Sequence, residues 1–396
     1  MDIAQSRHSS LHAAIVGGIE AGGLRGIAAD GSELSALPFH HYMSLCLYHP
    51  DFGYYRSGSP KVGREGDFYT SAYVGDAMGE SLARWLRNAA LARFGGGEVE
   101  VLDWGGGTGR LSRQMLDAWT SSEEGGSGEA GMLSFSVTVV EGNPSHRLEA
   151  VRELEAYIRS GRARVTDERG WEKLVPSGRP VIVVANELLD AFPVHRLVKK
   201  DGALREWGVA CAADGRFVPC LMEPTDPRLT EWLREEGIRL REGQTVEANL
   251  DGADWAATVA TRFERALLVF VDYGDETAEL TGPHRMDGTL LCYKEHRAHN
   301  DPYAWPGQQD MTAHVNFSHI RRSVERQGAE EIWYGSQKRF LIEAGIMERL
   351  TAHGHSDPFH PVARRNRAIR QLLLSDGMSE LFKVQVFAIQ AQEAVP

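Results

Sequence analysis

Apolar and polar positions along this chain follow two periods. Short apolar runs at 100–103 and 135–140, and a fully apolar run at 180–185, have the pattern of strands buried in a parallel sheet. Segments 108–119 and 144–160 carry apolar residues at helical spacing and fall between those runs. Further strands are predicted at 163–166 and 266–272, with candidates at 288–293 and 383–392. Strand alternating with helix predicts an α/β fold with a mostly parallel, doubly wound sheet.

Outside this core, helices are predicted over 11–20, 35–48 and 75–94, the second resting on Phe39, Met43 and Leu47 and ending before Pro50. A long loop rich in Gly, Tyr and Ser spans 51–73, and a Gly, Ser and Glu stretch at 121–131 reads as a solvated loop. Between 196 and 223 the pattern changes. Short apolar segments flank Asp-Gly pairs at 201–202 and 214–215, which predicts inserted antiparallel hairpins. Helices follow at 227–236 and 251–265, and again around 318–327, 335–344 and 359–373. The expected organisation is an N-terminal helical region with a lid loop (1–97), a nucleotide-binding core (98–195), an inserted hairpin and helical part (196–265), and completion of the core sheet (266–396).

Composition narrows the function classes. The 396 residues carry a formal net charge of −12, which argues against general nucleic-acid or anionic-membrane binding and suits cationic partners. Four cysteines without a CxxC pair fit a reducing, cytoplasmic setting and disfavour a disulfide framework or structural zinc. No run approaches the ~20 apolar residues of a membrane span, and no basic segment followed by an apolar one marks a secretory signal.

The chemistry concentrates at predicted strand ends. Val101-Leu102-Asp103 runs into Gly105, Gly106, Gly107, Thr108 and Gly109 just before a helix. Strand, glycine turn and helix bring backbone N–H groups close to a nucleotide-like ligand. The second strand ends at Glu141, whose carboxylate suits two ribose hydroxyls. A dinucleotide site prefers GxGxxG, but here the third glycine's place, position 110, is Arg. The GxGxG spacing after an acid-ending strand favours S-adenosylmethionine instead; the plain alternative is a tight strand–helix turn. Asn186-Glu187 follows the apolar fourth strand and leads to Asp190. This group is a candidate acceptor site, because carboxylates hold a guanidinium bidentately; the alternative is a helix cap. Asp272 ends the fifth strand. Gly66, Asp67, Tyr69 and Thr70 are candidates to cover the cofactor, or form an ordinary turn. The HxxH at His296 and His299 has no third ligand at convincing spacing, so no metal is expected. Neither a GxSxG elbow nor a Walker A loop occurs.

Taken together, these segments resemble the MidA-like (DUF185) methyltransferases, a family that includes the mitochondrial arginine methyltransferase needed for respiratory complex I assembly. The resemblance covers most of the chain from about Ser35 onward. It rests on Tyr48-His49-Pro50 with Gly53-Tyr54-Tyr55, Gly66-Asp67-Phe68-Tyr69-Thr70, the glycine turn, Asn186-Glu187 through His195, Val271-Asp272-Tyr273-Gly274, Gly288-Thr289-Leu290, and Gln309-Asp310-Met311-Thr312-Ala313-His314-Val315. Asp103-Trp104-Gly105-Gly106-Gly107 stands where the family more often has Glu-Leu/Ile-Gly-Ala/Pro-Gly. The resemblance implies a Rossmann-like S-adenosylmethionine-dependent methyltransferase fold with added helical and hairpin elements. It implies cofactor contacts from the glycine turn, Glu141 and the segment around Asp67, with Asn186-Glu187 at the acceptor. The expected activity is methylation of a protein arginine. The alternatives are a small-molecule O- or N-methyltransferase and a non-catalytic assembly protein. The expected partner is a methyl-acceptor protein or small molecule, not nucleic acid or membrane; a homodimer is compatible with the sequence.

Overall fold

The computed structural model describes residues 3–56, 61, 74–124, 133–174, 178–353, 357, 359–374 and 378–390. They fall into two compact units, one drawn from Met1–Ser57, Leu189–Ala256 and Gly274–Ser323, the other from Gly58–Leu188, Ala257–Tyr273 and Val324–Pro396.

The second of these units contains the nucleotide-binding type of sheet. Its strands in chain order are Gly97–Trp104, Leu133–Val140, Ala163–Thr166, Val181–Asn186, Ala266–Asp275, Glu330–Ser336 and Phe382–Ile389. Numbered one to seven, they lie in the order 3-2-1-4-5-7-6. Strands one to five run parallel, and strand seven is antiparallel to its neighbours. The first strand lies inside the sheet, between strands two and four, and is buried from Val99 to Trp104. Glu100, buried on that strand, is satisfied laterally. Ser136 and Thr138 donate to its two oxygens at 2.7 and 2.6 Å, and Arg164 pairs with it at 2.8 Å. The helix Arg110–Glu124 buries Leu111, Met115, Leu116 and Trp119, an apolar stripe at helical spacing. Trp119 stacks on Phe135 with ring centroids 4.2 Å apart and donates its indole N–H to the Ala83 carbonyl of the helix Ala77–Phe94.

The other unit is built on antiparallel strands. Six of them lie in the order Thr245–Ala248, His195–Lys200, Ala203–Cys211, Glu33–Pro38, Leu24–Ala28, Phe217–Met222. An additional pairing of Ala203–Cys211 with Phe217–Met222 closes four of the strands into a ring. The Asp201-Gly202 turn has positive φ at both positions, the geometry that joins twisted antiparallel strands tightly. The helix Phe39–Tyr48 buries Phe39, Tyr42, Met43, Cys46 and Leu47, the spacing of one continuous face.

Two sequence expectations change. The helix expected over 35–48 begins only at Phe39, because Glu33–Pro38 pairs as a strand with Leu24–Ala28. Pro38 disfavours helical backbone at Leu37, so the helix starts after it. The candidate sixth core strand at 288–293 instead contributes Leu291–Lys294 to a separate three-stranded sheet with Arg297–His299 and Asp310–Thr312. The sixth core strand is Glu330–Ser336, an edge strand with no fully buried residue and therefore a weak apolar signal. His296 of the HxxH sits in the hairpin turn at positive φ beside Glu295. Among the described residues no group of three or more His, Cys, Asp or Glu is placed to hold a metal. Among them, too, no helix is long and apolar enough to cross a membrane.

Candidate functional site

Strand register assembles the site. Trp104 is paired with Val140 on one side and Ala185 on the other, so strands one, two and four end level. The residues that follow, Gly105, Glu141 and Asn186, emerge together at the carboxyl edge of the sheet, where open α/β sheets bind ligands.

The glycine turn is shaped by backbone demands. Gly105, Gly107 and Gly109 have φ of 69°, 55° and 76°, a region that favours glycine. The Gly105 N–H donates to the Val140 carbonyl at 2.8 Å, which stitches the turn to the second strand. At Gly109 a Cβ would stand 3.1 Å from the Ala150 Cβ. At Gly106 it would stand 2.8 Å from the Asp103 carboxylate. Gly107 differs: a Cβ there would meet nothing within 4 Å, so its backbone has open space on that side.

Two acids support the turn. Glu141 accepts the Gly107 N–H on one oxygen at 2.9 Å and the Asn143 N–H on the other at 2.6 Å. Burial pushes its carboxyl above the usual range, and those two N–H bonds oppose the shift. A carboxylate offers about four lone-pair sites, so two remain for hydroxyl donors. Asp103 is 1% exposed and accepts the Ser112 hydroxyl at 2.6 Å. Burial pushes its carboxyl to about 6; the Ser112 bond opposes this and the Glu141 charge adds to it. Asn143 accepts the N–H groups of Ser145 and His146, which caps the helix Pro144–Glu153 and fixes the chain after Glu141.

Beside the turn, at the end of strand four, Asn186 donates to Glu187 at 3.3 Å. Its own Oδ1 is buried and finds no hydrogen-bond partner among the described residues. Glu187 adopts φ of 55°, uncommon for a residue with a side chain. Its N–H donates to the Val271 carbonyl at 2.8 Å. Asp272 fixes the turn further: its two oxygens accept the N–H groups of Leu188 and Tyr273 at 3.1 and 2.9 Å. The strand-end Asp272 therefore positions the Glu187 backbone. Thr108 lines a cavity of about 340 Å³ with Arg110, Glu149, Arg152 and Glu153, a lining that includes neither Glu141 nor Asn186.

The remaining candidates are placed differently. Gly66, Asp67, Tyr69 and Thr70 lie outside the described residues. Asp190 belongs to the other unit, on the short turn Leu189–Ala191, and is 5% exposed. Its carbonyl accepts the Ala313 N–H at 3.0 Å. In the same unit Tyr55 donates its phenol to Asp310 at 2.8 Å and stacks on Tyr48. No role for Asp310 was legible in the sequence beyond its place in the Gln309-Asp310 motif.

The architecture matches known proteins. A family model described as "Putative S-adenosyl-L-methionine-dependent methyltransferase" matches residues 79–335. The chain belongs to this methyltransferase family. A crystal structure of a "likely methyl transferase" from Burkholderia thailandensis bound to S-adenosyl-homocysteine is similar with a TM-score of 0.84 and 30% identity, covering 98% of this chain and 94% of that one. The mitochondrial protein arginine methyltransferase NDUFAF7 homolog of Drosophila melanogaster is 28% identical over 74% of this chain and 67% of its own length. The Caenorhabditis elegans homolog is 27% identical over 78% and 73%. This methyltransferase thus has the Rossmann-like fold of its family and depends on S-adenosylmethionine. Its own residues fit that cofactor: the open backbone at Gly107, the spare lone pairs of Glu141 and the orphaned Asn186 Oδ1 are each suited to a polar nucleoside ligand.

Proposed function

We propose that the methyltransferase modifies an arginine side chain of a protein. The observation that carries this is Glu187, an acid held at positive φ by Asp272 and Val271 at the carboxyl edge of the sheet. Backbone strain held in place by surrounding hydrogen bonds is characteristic of functional positions. A net charge of −12 and relatives named as arginine methyltransferases support a cationic acceptor.

Bound S-adenosylmethionine supplies a methyl group on a sulfonium and is left as S-adenosyl-homocysteine. Glu141 accepts the ribose hydroxyls, while the N–H groups of the glycine turn and Asn186 Oδ1 receive the polar groups of the ligand. Asp103 keeps the turn in shape through Ser112. Glu187, assisted by Asn186, accepts guanidinium N–H groups and orients one nitrogen for in-line attack. A carboxylate in that position also takes the proton the nitrogen releases. The four cysteines are unbridged, which supports a reducing compartment, the cytoplasm or the mitochondrial matrix.

The test is incubation with isotopically labelled S-adenosylmethionine and host extract, followed by tandem mass spectrometry. Label on arginine ω-nitrogens supports the proposal. Label confined to other residues or to small molecules removes it.

A further inference from the structure

We infer that the unit containing Asp190 holds a receptacle for a guanidinium group, formed by Asp190 and Asp310 with the Thr312 hydroxyl and the rings of Tyr48, Tyr55 and Tyr293. The inference rests on the arginine reading above and names residues that would recognise such a side chain.

The two carboxylates arrive from distant parts of the sequence. Asp190 lies on the Leu189–Ala191 turn and Asp310 on the strand Asp310–Thr312. The bond from Ala313 N–H to the Asp190 carbonyl ties these segments together. Asp190 is 5% and Asp310 2% exposed. Both charges reach the same two phenols. Burial raises the Tyr55 hydroxyl, followed by Asp310, Tyr48 and Asp190; burial raises Tyr293, followed by Asp190 and Asp310. Tyr293 is also the register partner of Asp310. Tyr48, Tyr55 and Tyr293 are only half-buried, so aromatic rings rim the sunken acids.

Thr312 supplies an independent sign of a ligand. It is 3% exposed, and its hydroxyl has no hydrogen-bond partner among the described residues. Two residues along a strand from Asp310, it shares the face of that acid. A buried hydroxyl without a partner is uncommon and calls for a donor or acceptor to complete it. A guanidinium brings five N–H donors in a planar fork, enough for two carboxylates and a hydroxyl, and its flat face stacks on aromatic rings. An ammonium brings only three donors around a point, fewer than two carboxylates and a hydroxyl can take.

The test is a ligand-observed NMR titration of the full chain, without methyl donor, using acetyl-arginine-methylamide. Acetyl-citrulline-methylamide and acetyl-lysine-methylamide are the comparison probes. The arginine compound is expected to bind at least ~10-fold tighter than either, and Asp310→Asn to remove that preference. Thr312→Val is expected to weaken arginine binding several-fold with an unchanged melting temperature, and gives the same reading if Asp310→Asn does not fold. Equal binding of arginine and citrulline compounds, equal binding of the lysine compound, or full arginine affinity in a folded Thr312→Val protein overturns the inference. Because no methyl donor is present, failure here leaves arginine methylation standing. Conversely, arginine binding without methyl transfer to arginine removes the proposed function alone.

Discussion

Glu141→Ala is the perturbation that bears hardest on cofactor recognition. Glu141 holds the Gly107 and Asn143 N–H groups at 2.9 and 2.6 Å, one on each oxygen. That leaves its carboxylate oriented with spare lone pairs toward the end of the sheet. Two hydroxyl bonds to an ionised acid contribute about 1.5–3 kcal/mol each, so their removal costs about 3–6 kcal/mol of cofactor binding. At about 1.4 kcal/mol per decade this is a ~100- to ~10,000-fold rise in Kd. Alanine also leaves the two backbone N–H groups without their acceptor, at about 1–3 kcal/mol each where water cannot replace it, so melting temperature is recorded in parallel. Isothermal titration with S-adenosyl-homocysteine provides the affinity. Glu141→Gln serves as the shape control, since it keeps one carbonyl oxygen but turns an amide donor toward an N–H donor. An Ala variant that folds and binds within about twofold of wild type refutes the assignment, because two charge-assisted bonds cannot be lost at so small a cost.

Other outcomes follow from the same geometry. Glu187→Gln leaves S-adenosyl-homocysteine affinity unchanged and lowers turnover at least ~10-fold; full turnover in a steady-state assay removes its role at the acceptor. Asp103 has a folded pKa of about 6 against an ordinary 3.8, so its contribution to stability is present below ~4 and is lost as pH rises through ~6. Relative to Asp103→Asn, the wild type therefore loses about 2 kcal/mol between pH 4 and 7 in urea titrations, and parallel curves contradict the raised value. Burial raises Glu141 as well, so cofactor affinity falls as pH drops through that elevated value, and a flat calorimetric profile down to pH 4.5 contradicts it. Glu100→Ala strips the Ser136 and Thr138 hydroxyls and Arg164 of their shared acceptor. It destabilises the fold by about 2–4 kcal/mol by denaturant unfolding, and a loss below ~1 kcal/mol shows the ladder to be inessential.

What could be read from the chain alone depended on how local each signal was. The glycine turn was legible because positive φ at Gly105, Gly107 and Gly109 leaves few other residue types possible. Interior strands were legible because burial on both faces makes them continuously apolar, as in Val181–Asn186. The edge strand Glu330–Ser336 lacked that signal, and the hairpin Leu24–Ala28 with Glu33–Pro38 was obscured by helical spacing that begins immediately after it. Asp272 was visible as a strand-end acid, but its hold on Leu188 joins residues 84 apart in sequence. The Tyr55–Asp310 bond joins residues 255 apart, beyond the reach of any periodicity. The left-handed backbone of Glu187 was equally hidden, since nothing in its residue type announces it.

The turn at Gly105–Gly109, Glu141 and Asn186 are proposed to form the methyl-donor site. A crystal structure of this chain with S-adenosyl-homocysteine tests this most directly. Both ribose hydroxyls are expected within hydrogen-bond distance of the Glu141 carboxylate, with a polar atom of the ligand completing Asn186 Oδ1. A nucleoside bound away from the carboxyl ends of strands one, two and four, with Glu141 still engaged only by Gly107 and Asn143, would contradict it.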